Sequence, residues 1–139
     1  MEINYVSRDT YGIYKREPVG GTGPSLMGAD TLLGNDVYNG IGDKLGSIAE
    51  VMLEMNTGRV SYAVLSFGGF LGLGERLFAV PWRCLKLDAK HHRFLLNVPK
   101  EALRHAPCFE KGHWPSMADP AWEQGITKFY ASVGSEAEQ

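Results

Sequence analysis

The stretch Leu45-Gly46-Ser47-Ile48-Ala49-Glu50-Val51-Met52-Leu53-Glu54-Met55, then Asn56-Thr57-Gly58, then Arg59-Val60-Ser61-Tyr62-Ala63-Val64-Leu65-Ser66-Phe67 decides the fold class. In its first part Leu45, Ala49, Val51, Leu53 and Met55 fall at odd positions, and Glu50 and Glu54 fall on the opposite face. An apolar period of two with acids on one side predicts a half-buried strand. Asn56-Thr57-Gly58 then turns the chain. The last part is rich in Val, Tyr, Leu and Phe at both parities, which predicts a strand covered on both faces and therefore central in its sheet. Two strands across a tight turn make the clearest hairpin in the sequence.

Upstream, Asn35 to Tyr38 reads as a short extended stretch. Asn39-Gly40-Ile41-Gly42-Asp43 reads as a turn, with Asn-Gly predicting two residues that tolerate positive φ. Downstream, Phe67 to Glu75 alternates four glycines with Phe70, Leu71 and Leu73. Arg76 to Val80 resumes a strand that Pro81 ends, because proline cannot donate to a ladder. Cys84 to Asp88 and Arg93 to Val98 form a second hairpin across Ala89-Lys90-His91-His92. About five or six short antiparallel strands without alternating helices predict a mostly-β domain, a small barrel or sandwich.

Helix is confined to the tail. Pro99 to Arg104 reads as one short turn. Asp119 as N-cap, Pro120 at the first position and Glu123 near the positive dipole end open a better helix. Trp122, Ile126, Phe129 and Tyr130 then form one apolar stripe, an amphipathic C-terminal helix.

A chain of 139 residues that is 44% apolar suits one domain with a workable core. Residues 1–27 form an N-terminal arm and linker, 28–99 the β domain, and 100–139 a helical extension. The arm mixes Tyr5, Tyr11 and Tyr14 with charges and closes in Pro18-Val19-Gly20-Gly21-Thr22-Gly23-Pro24. Its tyrosines suit docking on a surface, a partner subunit's among them; disorder is the alternative. Fourteen Lys and Arg against sixteen Asp and Glu give a net charge of −2 with no basic block, which argues against dependence on nucleic-acid phosphates. The longest apolar runs, such as Leu77 to Val80, fall far short of the about 20 residues of a membrane span. Met1-Glu2-Ile3-Asn4 shows no secretory pattern, so a cytoplasmic location is expected. Cys84 and Cys108 are then expected as reduced thiols.

Taken together, Leu32-Leu33-Gly34-Asn35-Asp36-Val37, Gly42-Asp43-Lys44-Leu45-Gly46-Ser47-Ile48, Thr57 to Leu65, and the Gly-rich loop leading into Leu77-Phe78-Ala79-Val80-Pro81-Trp82 resemble a PRC-barrel domain over about half the chain, Thr31 to Pro99. The resemblance implies a compact β-barrel used as an adaptor. The family includes the cytoplasmic domain of the photosynthetic reaction-centre H subunit and the C-terminal domain of a ribosome maturation factor. This sequence shows neither the membrane helix of the first nor the preceding domain of the second, so neither role transfers whole. Carry-over to residues is structural: Gly42, Gly46 and Gly58 suit tight turns or close backbone approach, and Val80-Pro81 closes a strand at the rim. The family supplies no catalytic residue to map.

The residues themselves favour no chemistry. Glu50 and Glu54 sit too far apart on one strand to share a proton. His91 and His92 are adjacent, so their rings point apart, and Cys108 with His113 has no second ligand pair of zinc spacing. Gly68 to Gly74 lacks the Lys-Ser/Thr of a phosphate loop and leads into a strand. No catalytic, cofactor or metal residue is assigned. The expectation is a non-enzymatic interaction module that forms a homodimer and binds an unidentified protein partner. Its candidate surface is Phe70, Leu71, Leu73, Trp82, Trp114, Trp122 and Phe129. Two alternatives remain: an RNA- or ribosome-associated module using Arg59, Arg76, Lys86, Lys90 and Arg93, and small-ligand or metal binding at the barrel mouth.

Overall fold

A computed structural model describes residues 4–14, 22–68, 75–116 and 119–134. Among these residues seven strands form one sheet: β1 (Asp36–Tyr38), β2 (Lys44–Leu53), β3 (Val60–Gly68), β4 (Glu75–Pro81), β5 (Leu85–Asp88), β6 (Arg93–Leu96) and β7 (Cys108–Phe109). Among the described residues two α-helices accompany them, a single turn α1 (Ala29–Leu32) and the longer α2 (Pro120–Ser132). The strand order is β5-β6-β1-β2-β3-β4-β7. The mostly-β class and the C-terminal helix are as the sequence predicts.

Two features of the sheet depart from the expectation. There are seven strands, and the β1–β6 pairing (Val37 opposite Phe94, Tyr38 opposite Leu95) is parallel, whereas the other pairings are antiparallel. The reason lies in the path after β4. Only Trp82–Cys84, a 3-10 turn, separate β4 from β5, yet β5 and β4 stand on opposite sides of β6, β1, β2 and β3. Five strand spacings in a flat sheet would span about 24 Å. The link from Pro81 to Leu85 reaches at most about 15 Å, so the sheet must curl to bring the two strands near each other. The curl lays the β5–β6 hairpin beside β1 in a direction that local turn signals cannot announce.

The β2–β3 hairpin forms where the sequence predicts it, and β3 lies between β2 and β4 with Tyr62, Ala63, Val64, Leu65 and Phe67 all buried. The inward row of β2 differs from the expected Leu45, Ala49, Val51, Leu53, Met55. Leu45 and Ile48 are buried, Ala49 is exposed, and Met55 is 86% exposed. A bulge between Ile48 and Glu50 inserts Ala49 as an extra residue opposite β3, and a second shift occurs between Met52 and Leu53. An earlier shift, opposite β1, pairs Val37 with Gly46 and Tyr38 with Lys44 and leaves Leu45 as an extra residue, so Ile48 is already out of step with Leu45; the shift at Met52 leaves its extra residue, Ser61, on β3.

The turn before β2 is also built differently. Neither Asn39 nor Gly40 adopts positive φ; Gly42 does, at 93°. Asn39 is buried, and its Oδ1 accepts from the backbone N–H of Ile41 (3.2 Å) and Asp43 (2.9 Å). Its Nδ2 donates to the carbonyl of Val98 at 3.2 Å. The side chain adds to the backbone bonds of the turn, Asn39 N–H to Asp43 O (2.9 Å) and Gly42 N–H to Asn39 O (3.2 Å), as asparagine does readily. Before β1, Asn35 Nδ2 likewise donates to the carbonyls of Thr31 (2.7 Å) and Leu32 (2.9 Å), closing α1.

The core gathers residues from β1 to β7, Val98, Leu103 and, on α2, Ile126 and Tyr130. Asp119 caps α2 as expected, its Oδ1 accepting from Ala121 N–H at 2.9 Å.

Candidate functional site

Of the seven residues of the candidate surface, Phe70, Leu71 and Leu73 lie outside the described residues. Trp82 stands apart from the rest. It is half-buried in the 3-10 turn after β4, its ring tilted 6.4 Å from that of Phe94 on β6.

Of the remaining three, Trp114 and Trp122 meet at Phe109 of β7, and Phe129 stands apart on α2. Trp114 packs on Phe109 with ring centroids 4.7 Å apart, and Phe109 meets Trp122 edge-on at 5.8 Å. Trp114 remains 43% exposed while Phe109 is buried. Trp122 Nε1 donates to the Tyr62 hydroxyl of β3 at 3.3 Å, which ties the first turn of α2 to the sheet. Phe129, a half-buried residue farther along α2, packs edge-on against Tyr130 at 4.9 Å. Phe109 is the member that sequence reasoning missed. β7 is two residues long, too short for any alternation to register, and it exists because Leu77 and Phe78 of β4 pair with Phe109 and Cys108.

Electrostatics around the cluster are mild. Burial raises the Tyr62 hydroxyl above its ordinary range; the bond from Trp122 opposes this, and the charge of Glu123 adds to it. Burial, with Cys84 and Cys108 nearby, pushes the Tyr130 hydroxyl far up, so it stays protonated. No disulfide joins Cys84, which is buried, to half-buried Cys108, whose Sγ lies 3.9 Å from Arg76 Nη1.

The polar candidates are dispersed. His91 Nδ1 meets Asp88 Oδ2 at 2.9 Å, whereas His92 turns its ring to Tyr5, 5.4 Å away. The two rings part, as adjacency requires. His113 Nδ1 lies 3.3 Å from Glu110 Oε2 on an exposed loop. Among the described residues no group of three or more His, Cys, Asp or Glu could hold a metal ion. Glu50 and Glu54 are exposed. Of the basic residues, Arg93 is engaged: its Nε donates to Asp88 Oδ2 at 3.0 Å and its guanidinium lies 4.3 Å above the Tyr38 ring. Arg59, Lys86 and Lys90 are exposed on the β2–β3 turn, β5 and the β5–β6 turn, and half-buried Arg76 lies on β4.

Among the described residues, no helix is long and apolar enough to cross a membrane. A search of curated proteins finds no match. The family model for the PRC-barrel domain matches residues 24–103. That span takes in every strand from β1 to β6 and more than half of the sequence, and the chain therefore belongs to the PRC-barrel domain family.

Proposed function

We propose that this chain is a non-enzymatic PRC-barrel protein, its curled sheet a small barrel, that works by protein contact and first of all by self-association. The observation that carries the reading is the half-exposed Trp114, held by Phe109, on which Trp122 also packs, on the α2–β7 side of the fold. A tryptophan fixed by aromatic neighbours loses little freedom on binding and has a large face to bury, which is the usual make-up of an interface anchor. A second copy of the chain is the occupant we favour, because like surfaces pair in two-fold dimers and a small barrel gains core by doing so. Adaptor binding of another protein would use the same module in its assembled form.

Sedimentation equilibrium on the full chain tests the reading. The expected result is dimer at high micromolar concentration, with Trp114→Ser weakening association by about tenfold or more, as loss of an interface anchor does. A strict monomer at that concentration overturns self-association, and an unchanged dimer in Trp114→Ser moves the contact elsewhere.

A further inference from the structure

The family match begins at residue 24, yet two of the most buried aromatic side chains precede it: Tyr5 is 2% exposed and Tyr14 3%. Their segment, residues 4–14, folds back on the body of its own chain. Tyr5 packs edge-on against Tyr14 (5.7 Å) and against His92 of the β5–β6 turn (5.4 Å). Arg8 Nη2 donates to the Asp30 carbonyl of α1 at 3.1 Å. The Arg8 guanidinium lies so close over Gly34 that a Cβ added there would stand 2.6 Å from Nη1. The Tyr14 hydroxyl accepts from Gly28 N–H at 2.7 Å, just before α1.

The bonding inside the segment is of another kind. Arg8 N–H to Asn4 O, Asp9 N–H to Val6 O and Gly12 N–H to Asp9 O are short local turns, and Asp9 accepts from the N–H of Ile13 and Tyr14. The segment is thus wound on itself, and the side chains of Tyr5, Arg8 and Tyr14 tie it to the body. One of these ties is imperfect: Arg8 Nε is buried without a hydrogen-bond partner among the described residues. A buried donor left unsatisfied costs free energy on closing and makes opening easier. Segments tied by a few side chains open at lower cost than ladder strands do, and they open as units.

We propose that residues 4–14 are a releasable strap: seated through Tyr5, Arg8 and Tyr14 on α1 and the β5–β6 turn, they detach together while the sheet stays folded. Opening uncovers His92, Gly34 and the start of α1. The Gly28 amide reports the event, since it belongs to the body but is bonded to a side chain of the strap.

Amide hydrogen exchange on the full chain, followed by NMR, tests the strap. In the unaltered chain Gly28 is expected to exchange at least about a hundredfold faster than Val64 and Leu65 of β3, as local opening does relative to global unfolding. Arg8→Ala, which removes no atom bonded to Gly28, is expected to accelerate Gly28 exchange by about tenfold more, the loss of one tie. Tyr5→Leu should do the same, and in neither variant should Val64 or Leu65 change. Gly28 exchange unaffected by both substitutions overturns the proposal, because the strap would not be one unit. Gly28 exchanging in step with Val64 and Leu65 in the unaltered chain, or those β3 amides accelerating as much as Gly28 in the variants, overturns it too, because the segment would then be part of the core.

Discussion

At Gly46 a hydrogen stands where any other residue would carry a carbon, and there is no room for that carbon. Its φ is +146°, and a Cβ would lie 2.5 Å from the carbonyl oxygen of Ser66 on β3 and 3.0 Å from the ring of Phe67. The carbonyl belongs to the neighbouring backbone, and Phe67 is locked edge-on against Phe78 at 4.4 Å, so neither neighbour can yield cheaply. Gly58, at φ +77° on the β2–β3 turn, faces open space. Gly46→Ala should therefore lose at least about 2 kcal/mol of stability, from strain and clash together. Gly58→Ala should lose about 1 kcal/mol, the cost of the left-handed backbone alone. Urea titrations of both variants check the ranking, and equal losses would refute the account. From sequence the two glycines look alike, because each stands beside turn chemistry. What separates them is the partner strand, and a partner strand is not a local property.

The β5–β6 hairpin shows how an element can be legible while the force holding it is not. Its two strands and four-residue turn are read from apolar residues on either side of Ala89-Lys90-His91-His92. Asp88 and Arg93 closing it face to face depends on register, which the residue types alone do not set. Burial raises the Asp88 carboxyl, but bonds from His91 and Arg93 outweigh burial and hold it below its usual value. A carboxyl depressed in the folded state contributes stability that is full above its unfolded value, about 3.9, and is lost as pH falls through the folded value. The acid limb of the stability curve below about pH 4 should therefore flatten in Asp88→Asn, with a loss near neutrality of about 1 kcal/mol or less. Chemical denaturation between neutral pH and the acid limit checks this; an identical acid limb in the variant would remove Asp88 from the explanation. β2 is the contrary case. Its strand is legible from period two, but the extra residues at Leu45 and Ala49 break that period, and no residue type marks a bulge of this kind.

At the scale of the whole molecule, the family match and the folded unit do not coincide. The match covers residues 24–103, and the sequence motifs read over Thr31 to Pro99 agree with it closely. Those motifs are hairpins, and hairpins are contiguous, which is why this part of the fold can be read residue by residue. The cover of the sheet is not contiguous. Phe109 pairs with Leu77 from beyond the match, Ile126 and Tyr130 of α2 enter the same core, and Tyr5 and Tyr14 pack from before it. The interaction candidates divide along the same line: Trp122 and Phe129 were visible as a helical stripe, whereas Phe109, on which Trp114 rests, was not. If the C-terminal flank is part of the folding unit, a fragment of residues 24–103 leaves an apolar face of β4 and its neighbours in water. Deleting even one large buried side chain costs about 2–5 kcal/mol, and removing α2 withdraws Ile126 and Tyr130 together, a loss comparable to the entire stability of a small domain. The fragment is expected to be largely unfolded at 25 °C by circular dichroism, with no cooperative urea transition, while the full chain gives one. A fragment that unfolds at the same urea concentration as the full chain would show that the C-terminal flank lies on the sheet without completing the core, and the α2–β7 aromatic cluster would then be an appendage free to serve contact alone.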